Sequence, residues 1–425
     1  MVARRSRSPS VTERAFDTDE ARNSRPSTIT VVSHNLWLIP FAGAWHFGRA
    51  ERCGIQLAAA AGTSFSNDAE SLVVVAVQEA WAYRVGVFWP MFYCWGKLEA
   101  WLLRCKMVDG CREPLFFWLF KSAAVFLIAL STLLAQNWVP KLRDVMWEPK
   151  RHLRAALSIR ATLPWSTDGV SAFRALPPWT LPICLMDSGL HTSASRPADD
   201  SGFVGFSRTG SAEAVVLKGM LWCRWGSLAI VNTHMTFEHA DGGVQRRRQQ
   251  EALSSLVGKL LGLLPQGAGD GPSAGPMSGS FDPSCDLSGV PLSSCGSCSA
   301  VLIAGDLNHC LPAQCTSGAA GKPPTGTYQY RQPWLPANAS LAHLLDVLAL
   351  GGAAKVERLS SDEPTNEDGT IDHLLLVTPA PRGLRPRPAA YTRVSADVIP
   401  DDHAEVSDHL SIKVVVRAGE QRSKR

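Results

Sequence analysis

The stretch TITVVSHNLW, residues 28–37, decides the fold class. It begins with a short run of apolar, β-branched residues, which is typical of a buried strand, and continues directly into the polar residues His34 and Asn35. The same arrangement returns in SLVVVAVQEAW (71–81), SLAIVNTHM (227–235) and SAVLIAGDLN (299–308). Strands that recur along a chain in this way predict a layered sheet protein.

Other segments complete this secondary structure. Further strands are predicted at 202–207, 214–225, 371–377 and 410–416. A helix is predicted from Val244 to Leu264, because apolar residues repeat there at intervals of three and four, and its triple arginine 246–248 is expected at a solvated start. A second helix is predicted from Ala339 to Leu350.

The composition excludes several classes of protein. The chain has 425 residues, a formal charge of +4, 45% hydrophobic residues and only 19% charged residues, which argues against a wholly disordered chain. So small a positive surplus does not favour nucleic acid as a partner. The eleven cysteines include no pair of C-x-x-C motifs for zinc. No secretory signal is visible, so we expect a cytoplasmic location, or membrane association with the folded domain facing the cytosol.

Five segments organise the chain. Residues 1–28 are expected to form a flexible tail and 418–425 a basic C-terminal tail, with one folded domain between them at 29–417. Two insertions interrupt that domain. One is a Gly/Pro/Ser-rich loop at 265–298, expected to be disordered, and the other is an apolar, Trp-rich insert at 85–150.

Polar side chains close nearly every predicted strand. In chain order these groups are Ser33-His34-Asn35, Gln78-Glu79, Asn232-Thr233-His234, Asp306-Leu307-Asn308, Asp372 and Ser407-Asp408-His409. Polar groups at strand ends can converge on one edge of a layered sheet protein, and carboxylates with histidines would suit a hydrolytic metal site. A hard cation such as Mg²⁺ needs only one or two carboxylates, of which Glu79 is the first candidate. A histidine beside a carboxylate can take a proton from water.

The motifs HNLW, VQEAW, NTHM, AGDLN, IDHLLL and SDHL, in this order, resemble the motif set of the endonuclease/exonuclease/phosphatase superfamily. The resemblance spans about residues 29–417. It implies a four-layered α/β sandwich with two packed mixed β-sheets flanked by helices, to which this chain would add a hydrophobic helical insertion. It also implies hydrolysis of phosphoesters with Mg²⁺, or with Mn²⁺ as a substitute.

The resemblance assigns a metal site and a general base. It implies that Asn35 and Glu79 hold the metal and that Asp408 lies close to it. His409 would be the general base that activates water, and Asp372 would polarise it.

The remaining site residues would handle water and phosphate. Asp306 would position the attacking water and Asn308 would contact the phosphate. His234 would stabilise charge on the phosphoryl oxygens or help to protonate the leaving group. His34 and Lys218 are expected to bind the substrate.

The opening motifs HNLWLIPF and AVQEAW resemble the neutral sphingomyelinase branch in particular, as do SGLHTSASRP (188–197) and the Lys218-Gly219 pair. The branch implies a phospholipid substrate, with sphingomyelin hydrolysed to ceramide and phosphocholine. A DNA endonuclease or exonuclease, or a phosphoinositide phosphatase of the same superfamily, is the first alternative. A catalytically inactive, membrane-associated scaffold is the second.

The apolar insert is expected to meet a membrane surface. Its segment LFFWLFKSAAVFLIALSTLLA, residues 115–135, has nearly the length that spans a bilayer. A single span there would place Asn35 and Glu79 on one side of the membrane and the later site residues on the other. Residues 114–136 are therefore expected to lie in the interface, to form a hairpin with 85–103, or to pack as a core helix.

Overall fold

The computed structural model describes about half of the predicted domain at 29–417. The described residues are 26–36, 47–62, 71–84, 146–147, 150–160, 163–175, 186–206, 216–236, 244–263, 297–309, 341–365, 371–381, 391–399, 407 and 409–419. Asp408, nearly all of the insert 85–150, the loop residues 265–296 and most of both tails lie outside these ranges. The expectations for those segments remain predictions.

The described residues form five α-helices and fourteen strands. The helices are α1 Phe47–Gly62, α2 Lys150–Arg160, α3 Val170–Ala175, α4 Val244–Leu260 and α5 Leu341–Leu348. The strands are β1 Thr28–Asn35, β2 Ser71–Gln78, β3 Tyr83–Arg84, β4 Met146–Trp147, β5 Trp165–Asp168, β6 His191–Ala194, β7 Asp200–Gly205, β8 Gly219–Trp225, β9 Leu228–His234, β10 Ala300–Asp306, β11 Ala354–Arg358, β12 Asp372–Pro379, β13 Tyr391–Ile399 and β14 Ser411–Ala418.

Twelve of these strands form two six-stranded mixed sheets. The first sheet has the order β13-β14-β1-β2-β6-β5 and the second has the order β11-β12-β10-β9-β8-β7. Each sheet has one parallel pair at its centre, β1 with β2 and β10 with β9, and its other neighbours are antiparallel. Strands β3 and β4 form a separate pair.

Burial along the strands explains the layers. Side chains of successive residues point to opposite faces of a strand, so each central strand can contribute to two cores. Ile29 and Leu72 of the first sheet share a core with Ile230 and Leu302 of the second, between the sheets. The outer faces are covered by α1 and α2 on the first sheet and by α4 and α5 on the second. The predicted four-layered α/β sandwich is therefore confirmed.

The start of α4 differs from the expectation. Arg247 and Arg248 are exposed, as a solvated helix start requires, but Arg246 is only 1% exposed. The helix also ends at Leu260 rather than Leu264. Gly262 has a φ of 65° there, a left-handed conformation that terminates helices and suits glycine.

Among the residues that the structure describes, no helix is long and apolar enough to cross a membrane.

Candidate functional site

The polar strand ends meet at one edge of the sandwich. In the first sheet Asn35 lies in register with Gln78, the residue before Glu79. In the second sheet Asp306 lies in register with both His234 and Asp372. Within each central pair the strands are parallel, so their carboxyl ends lie together. A hydrogen bond from Asn35 to Asp306 joins the two sets of ends at one edge, which we call the rim.

A carboxylate cluster joins the two sheets at the rim. The amide Nδ2 of Asn35 donates to Oε1 of Glu79 at 3.2 Å and to Oδ2 of Asp306 at 3.0 Å. The ring Nε2 of His234 lies 3.5 Å from Oε1 of Glu79 and 3.7 Å from Oδ2 of Asp306. All four side chains are buried. The structure therefore brings together residues from β1, β2, β9 and β10 that are far apart in the chain.

A histidine–carboxylate pair stands beside this cluster. Nδ1 of His409 lies 2.7 Å from Oδ2 of Asp372, and its Nε2 lies 3.9 Å from Oδ2 of Asp306. The segment before β14 is anchored by Ser407, whose hydroxyl donates to the Asn35 carbonyl at 2.6 Å and accepts from the His409 N–H at 3.1 Å. Since Asp372 engages Nδ1, the ring is held with Nε2 toward the cluster.

Burial and neighbouring charges set the protonation of these groups. Burial, reinforced by the nearby Asp372 carboxylate, raises the pKa of Asp306 to about 7. Burial acts in the same direction on Asp372, but the charge and the hydrogen bond of His409 outweigh it and lower the pKa of Asp372. Burial, followed by the charges of Lys218 and His409, lowers the pKa of His234 well below its usual range. The His234 ring is therefore neutral at pH 7.

The donor set fits a divalent cation. Ligand atoms of Glu79, His234 and Asp306 lie within 4.8 Å of one another. Rotating the amide group of Asn35 by half a turn would place Oδ1 where Nδ2 now lies, and this oxygen could then serve as a metal ligand. Two buried carboxylates with an amide oxygen are the ligands that a hard cation such as Mg²⁺ prefers.

Asn308 and Lys218 lie next to the cluster without entering it. Nδ2 of Asn308 and Nζ of Lys218 both donate to the carbonyl of Met235, at 2.9 and 3.2 Å. Met235 follows His234 directly, so both side chains are close to the rim. Asn308 has a φ of 51°, and its own N–H donates to Oδ1 of Asp306 at 2.9 Å.

His34 is placed differently from its expectation. It precedes Asn35 on β1, and strand alternation turns its side chain to the helix-covered face of the first sheet. There its Nδ1 lies 3.0 Å from the hydroxyl of Ser411. The structure does not bring His34 to the rim cluster, so this placement does not support a substrate-binding role.

Sequence reasoning missed three residues that support the site. Trp81 lies with its ring centroid 6.1 Å from that of His234, and its place two residues after Glu79 was the available signal. Arg246 donates to the Asn308 carbonyl, and Oε1 of Gln249 accepts from the Thr236 N–H at 2.8 Å. Neither α4 residue carried a signal, because arginine and glutamine at a helix start are usually solvated.

A scan against protein-family models and a search of curated proteins find no match for this chain. Similar solved structures include sphingomyelinase C from Streptomyces griseocarneus, at 14% identity and a TM-score of 0.41 over 92% of this chain and 99% of that one. A magnesium-bound beta toxin mutant from Staphylococcus aureus is 12% identical, with a TM-score of 0.42 over 92% and 99% of the two chains.

An endonuclease/exonuclease/phosphatase protein from Beutenbergia cavernae is also similar, at 12% identity and a TM-score of 0.41 over 92% of this chain and 72% of that one. At such identities and TM-scores the likeness carries no argument about activity, which has to rest on the rim itself.

Proposed function

We propose that the chain is a Mg²⁺-dependent phosphodiesterase that hydrolyses a phospholipid, with sphingomyelin cleaved to ceramide and phosphocholine. The observation that carries the proposal is the His409–Asp372 pair, with a 2.7 Å contact at Nδ1 and with Nε2 3.9 Å from Asp306. It sets a general base beside a buried carboxylate cluster. Metal-assisted attack by water requires these two components side by side.

His409 acts on the attacking water. The Asp372 carboxylate accepts the Nδ1–H and fixes the ring tautomer, so the lone pair of Nε2 is available for a proton. His409 takes that proton as the water oxygen bonds to phosphorus and the in-line bond from phosphorus to the ceramide oxygen breaks. The leaving ceramide oxygen takes up a proton from solvent. Asp306, whose Oδ2 faces the same Nε2, orients the water.

The cation would be held by Glu79, Asp306 and Asn35, and Asp408 is proposed to lie near it. When bound, the cation neutralises the charge that develops on the phosphoryl oxygens. Those oxygens would also receive hydrogen bonds from His234 and Asn308, and Lys218 adds positive charge beside them.

The lowered pKa of His234 favours one of its two predicted roles. A ring that stays neutral at pH 7 is a poor proton source for a leaving alkoxide, but its N–H can still donate to a phosphoryl oxygen. We therefore assign His234 to charge stabilisation.

The choice of sphingomyelin is supported by the resemblance of HNLWLIPF and AVQEAW to the neutral sphingomyelinase branch. The apolar insert 85–150 is proposed to contact the membrane surface in which this substrate resides, with the catalytic domain on the cytosolic side. Aromatic and apolar side chains with flanking arginines and lysines are typical of such interfacial segments.

A substrate panel tests the proposal. The full chain is assayed for phosphocholine release from sphingomyelin in detergent micelles, with Mg²⁺ and with EDTA, beside lysophospholipid, phosphoinositide and abasic-site duplex DNA. We expect release from sphingomyelin that requires Mg²⁺ and disappears in His409→Ala, but persists in His152→Ala, which changes an exposed histidine of α2. Retained release in His409→Ala would refute the mechanism, and DNA cleavage without lipid hydrolysis would refute the substrate.

A further inference from the structure

A groove of about 440 Å³ opens on the molecule away from the rim cluster, none of whose residues lines it. One wall is the end of β11 with the turn that follows, which contributes Arg358, Ser360 and Ser361. The other wall is β13, which contributes Arg393 and Ser395. Because β11 and β13 are edge strands of different sheets, the groove lies between the two sheets at their outer edges.

The groove carries a surplus of positive charge. The described lining residues include two arginines, Arg358 and Arg393, and one carboxylate, Asp362. Asp362 pairs with Arg358, while Nη1 of Arg393 donates to the Leu359 carbonyl at 3.1 Å. Burial, and then the charge of Arg393, lowers the pKa of Arg358.

Two serine hydroxyls in this wall lack hydrogen-bond partners among the described residues. Ser360 is only 2% exposed, and its Oγ has no partner there, nor has the Oγ of the adjacent Ser361. Buried hydroxyl groups are normally satisfied, so a donor left unpaired in the wall of a charged groove points to an absent acceptor. Arginine and serine donors together favour an acceptor with several oxygens and a negative charge.

The backbone of β13 supports this reading of the groove. Its pairing with β14 shifts register between Arg393 and Ser395, which leaves Val394 bulged and 54% exposed. A bulge of this kind re-aims neighbouring side chains and is common beside binding sites.

We propose that this groove is a binding site for a phosphate-type oxyanion, separate from the rim. The arginines supply charged donors, and the hydroxyls of Ser360 and Ser361 supply the others. The ligand is a phosphate group, carried either by a lipid headgroup in a membrane or by a soluble compound. The inference does not depend on the proposed phosphodiesterase activity.

Calorimetric titration of the full chain with inorganic phosphate, in EDTA and at constant ionic strength, tests the site. We expect Arg393→Gln to weaken binding about tenfold or more, because it removes a charged donor. Asp362→Asn should tighten binding, because it releases Arg358 from its carboxylate. Arg52→Gln, which removes an exposed charge on α1 outside the groove, should leave the dissociation constant unchanged.

Ser360→Ala separates binding from folding. Removal of a hydroxyl that has no partner among the described residues should leave the thermal midpoint unchanged or raise it, while weakening phosphate binding severalfold. Wild-type affinity in both Arg393→Gln and Ser360→Ala would overturn the proposal, as would weaker binding in Asp362→Asn.

A vesicle arm identifies the source of the phosphate group. Flotation with phosphatidylcholine vesicles, with and without phosphatidic acid, is compared for the wild type and Arg393→Gln. Binding that depends on phosphatidic acid and falls in Arg393→Gln supports a lipid headgroup. Equal flotation of both proteins, together with weaker phosphate titration in the variant, supports a soluble phosphate compound. Both readouts measure binding alone, so neither depends on turnover at the rim.

Discussion

The two sheets follow one strand pattern, and three of the six pairs of matched strands each contribute a cross-sheet contact at the rim. The third strands of the two orders, β1 and β10, carry Asn35 and Asp306, which are hydrogen-bonded. The fourth, β2 and β9, lead to Glu79 and His234, 3.5 Å apart. The second, β14 and β12, bring His409 onto Asp372. Neither sheet holds a complete site, so the chemistry requires that they pack face to face.

The two halves of the rim are braced by different physical means. In the first sheet Oδ1 of Asp187 accepts from the N–H groups of Ala82 and Gly189, at 2.7 and 3.1 Å, and its Oδ2 pairs with the buried Lys150. In the second sheet the brace is the first turn of α4, through Arg246 and Gln249. A buried ion pair leaves an uncompensated charge when one partner is lost, so the first brace is the more vulnerable.

The largest effect is expected where the sheets meet in the His409–Asp372 pair. Asp372→Asn should lower kcat by roughly 10⁴-fold, because the amide no longer selects the tautomer that leaves Nε2 free to accept a proton. Steady-state phosphocholine release measures the change, and KM should move little. Asp346→Asn, at an exposed position of α5, serves as the control. A loss smaller than tenfold would show that His409 works without this partner.

The next largest effect should come from breaking the brace of the first sheet. Lys150→Met leaves the Asp187 carboxylate buried without its cation and should cost about 3–5 kcal/mol in the free energy of unfolding, measured in urea. The matched control lies on the same helix: Arg154 pairs with Asp168, but its side chain is 42% exposed. Arg154→Met should therefore cost less than about 1 kcal/mol. Equal losses of unfolding free energy in Lys150→Met and Arg154→Met would contradict the claim that burial makes the first ion pair more important.

These braces also mark what the sequence could and could not predict. The central strands and their polar ends were readable, because buried strands leave continuous apolar runs such as 71–77. The pairing of Lys150 with Asp187 was not, since two buried charges that are 37 residues apart leave no periodic pattern. Strand β13 was missed because it is an edge strand in which only one of nine side chains is fully buried, so it leaves no continuous apolar run. His34 was adjacent to the site in sequence, but alternation placed it on the other face.

A smaller effect is expected at the contact between Gly189 and Trp81. Gly189 has a φ of 66°, and a Cβ built on it would lie 2.6 Å from the Trp81 ring, which itself packs near His234. Gly189→Ala should cost about 1–3 kcal/mol in unfolding free energy and lower kcat, because the ring must move. Gly351→Ala is the matched control, because Gly351 has a φ of 63° and no atom within 4 Å of such a Cβ. Its cost in unfolding free energy therefore measures the backbone strain without a steric clash. An equal loss of unfolding free energy in Gly351→Ala would mean that contact with the Trp81 ring adds nothing to the cost. An unchanged kcat in Gly189→Ala would mean that the Trp81 ring does not position His234.

The smallest effect concerns acid stability, to which both sheets contribute buried neutral histidines away from the rim cluster. Burial lowers the pKa of His191 on β6 to about 3 and that of His373 on β12 to about 4. Below a pH of about 6.5, the ordinary pKa of histidine, these side chains are protonated in the unfolded chain but stay neutral in the folded protein. The free energy of unfolding therefore falls as the pH decreases from about 6.5. Each ring adds a slope of at most about 1.4 kcal/mol per pH unit. We expect His191→Gln to flatten the dependence of unfolding free energy on pH between 6.5 and 5 by about that amount, while His152→Gln, at an exposed position, leaves it unchanged. An unaltered slope in His191→Gln would mean that this ring is protonated in the folded state.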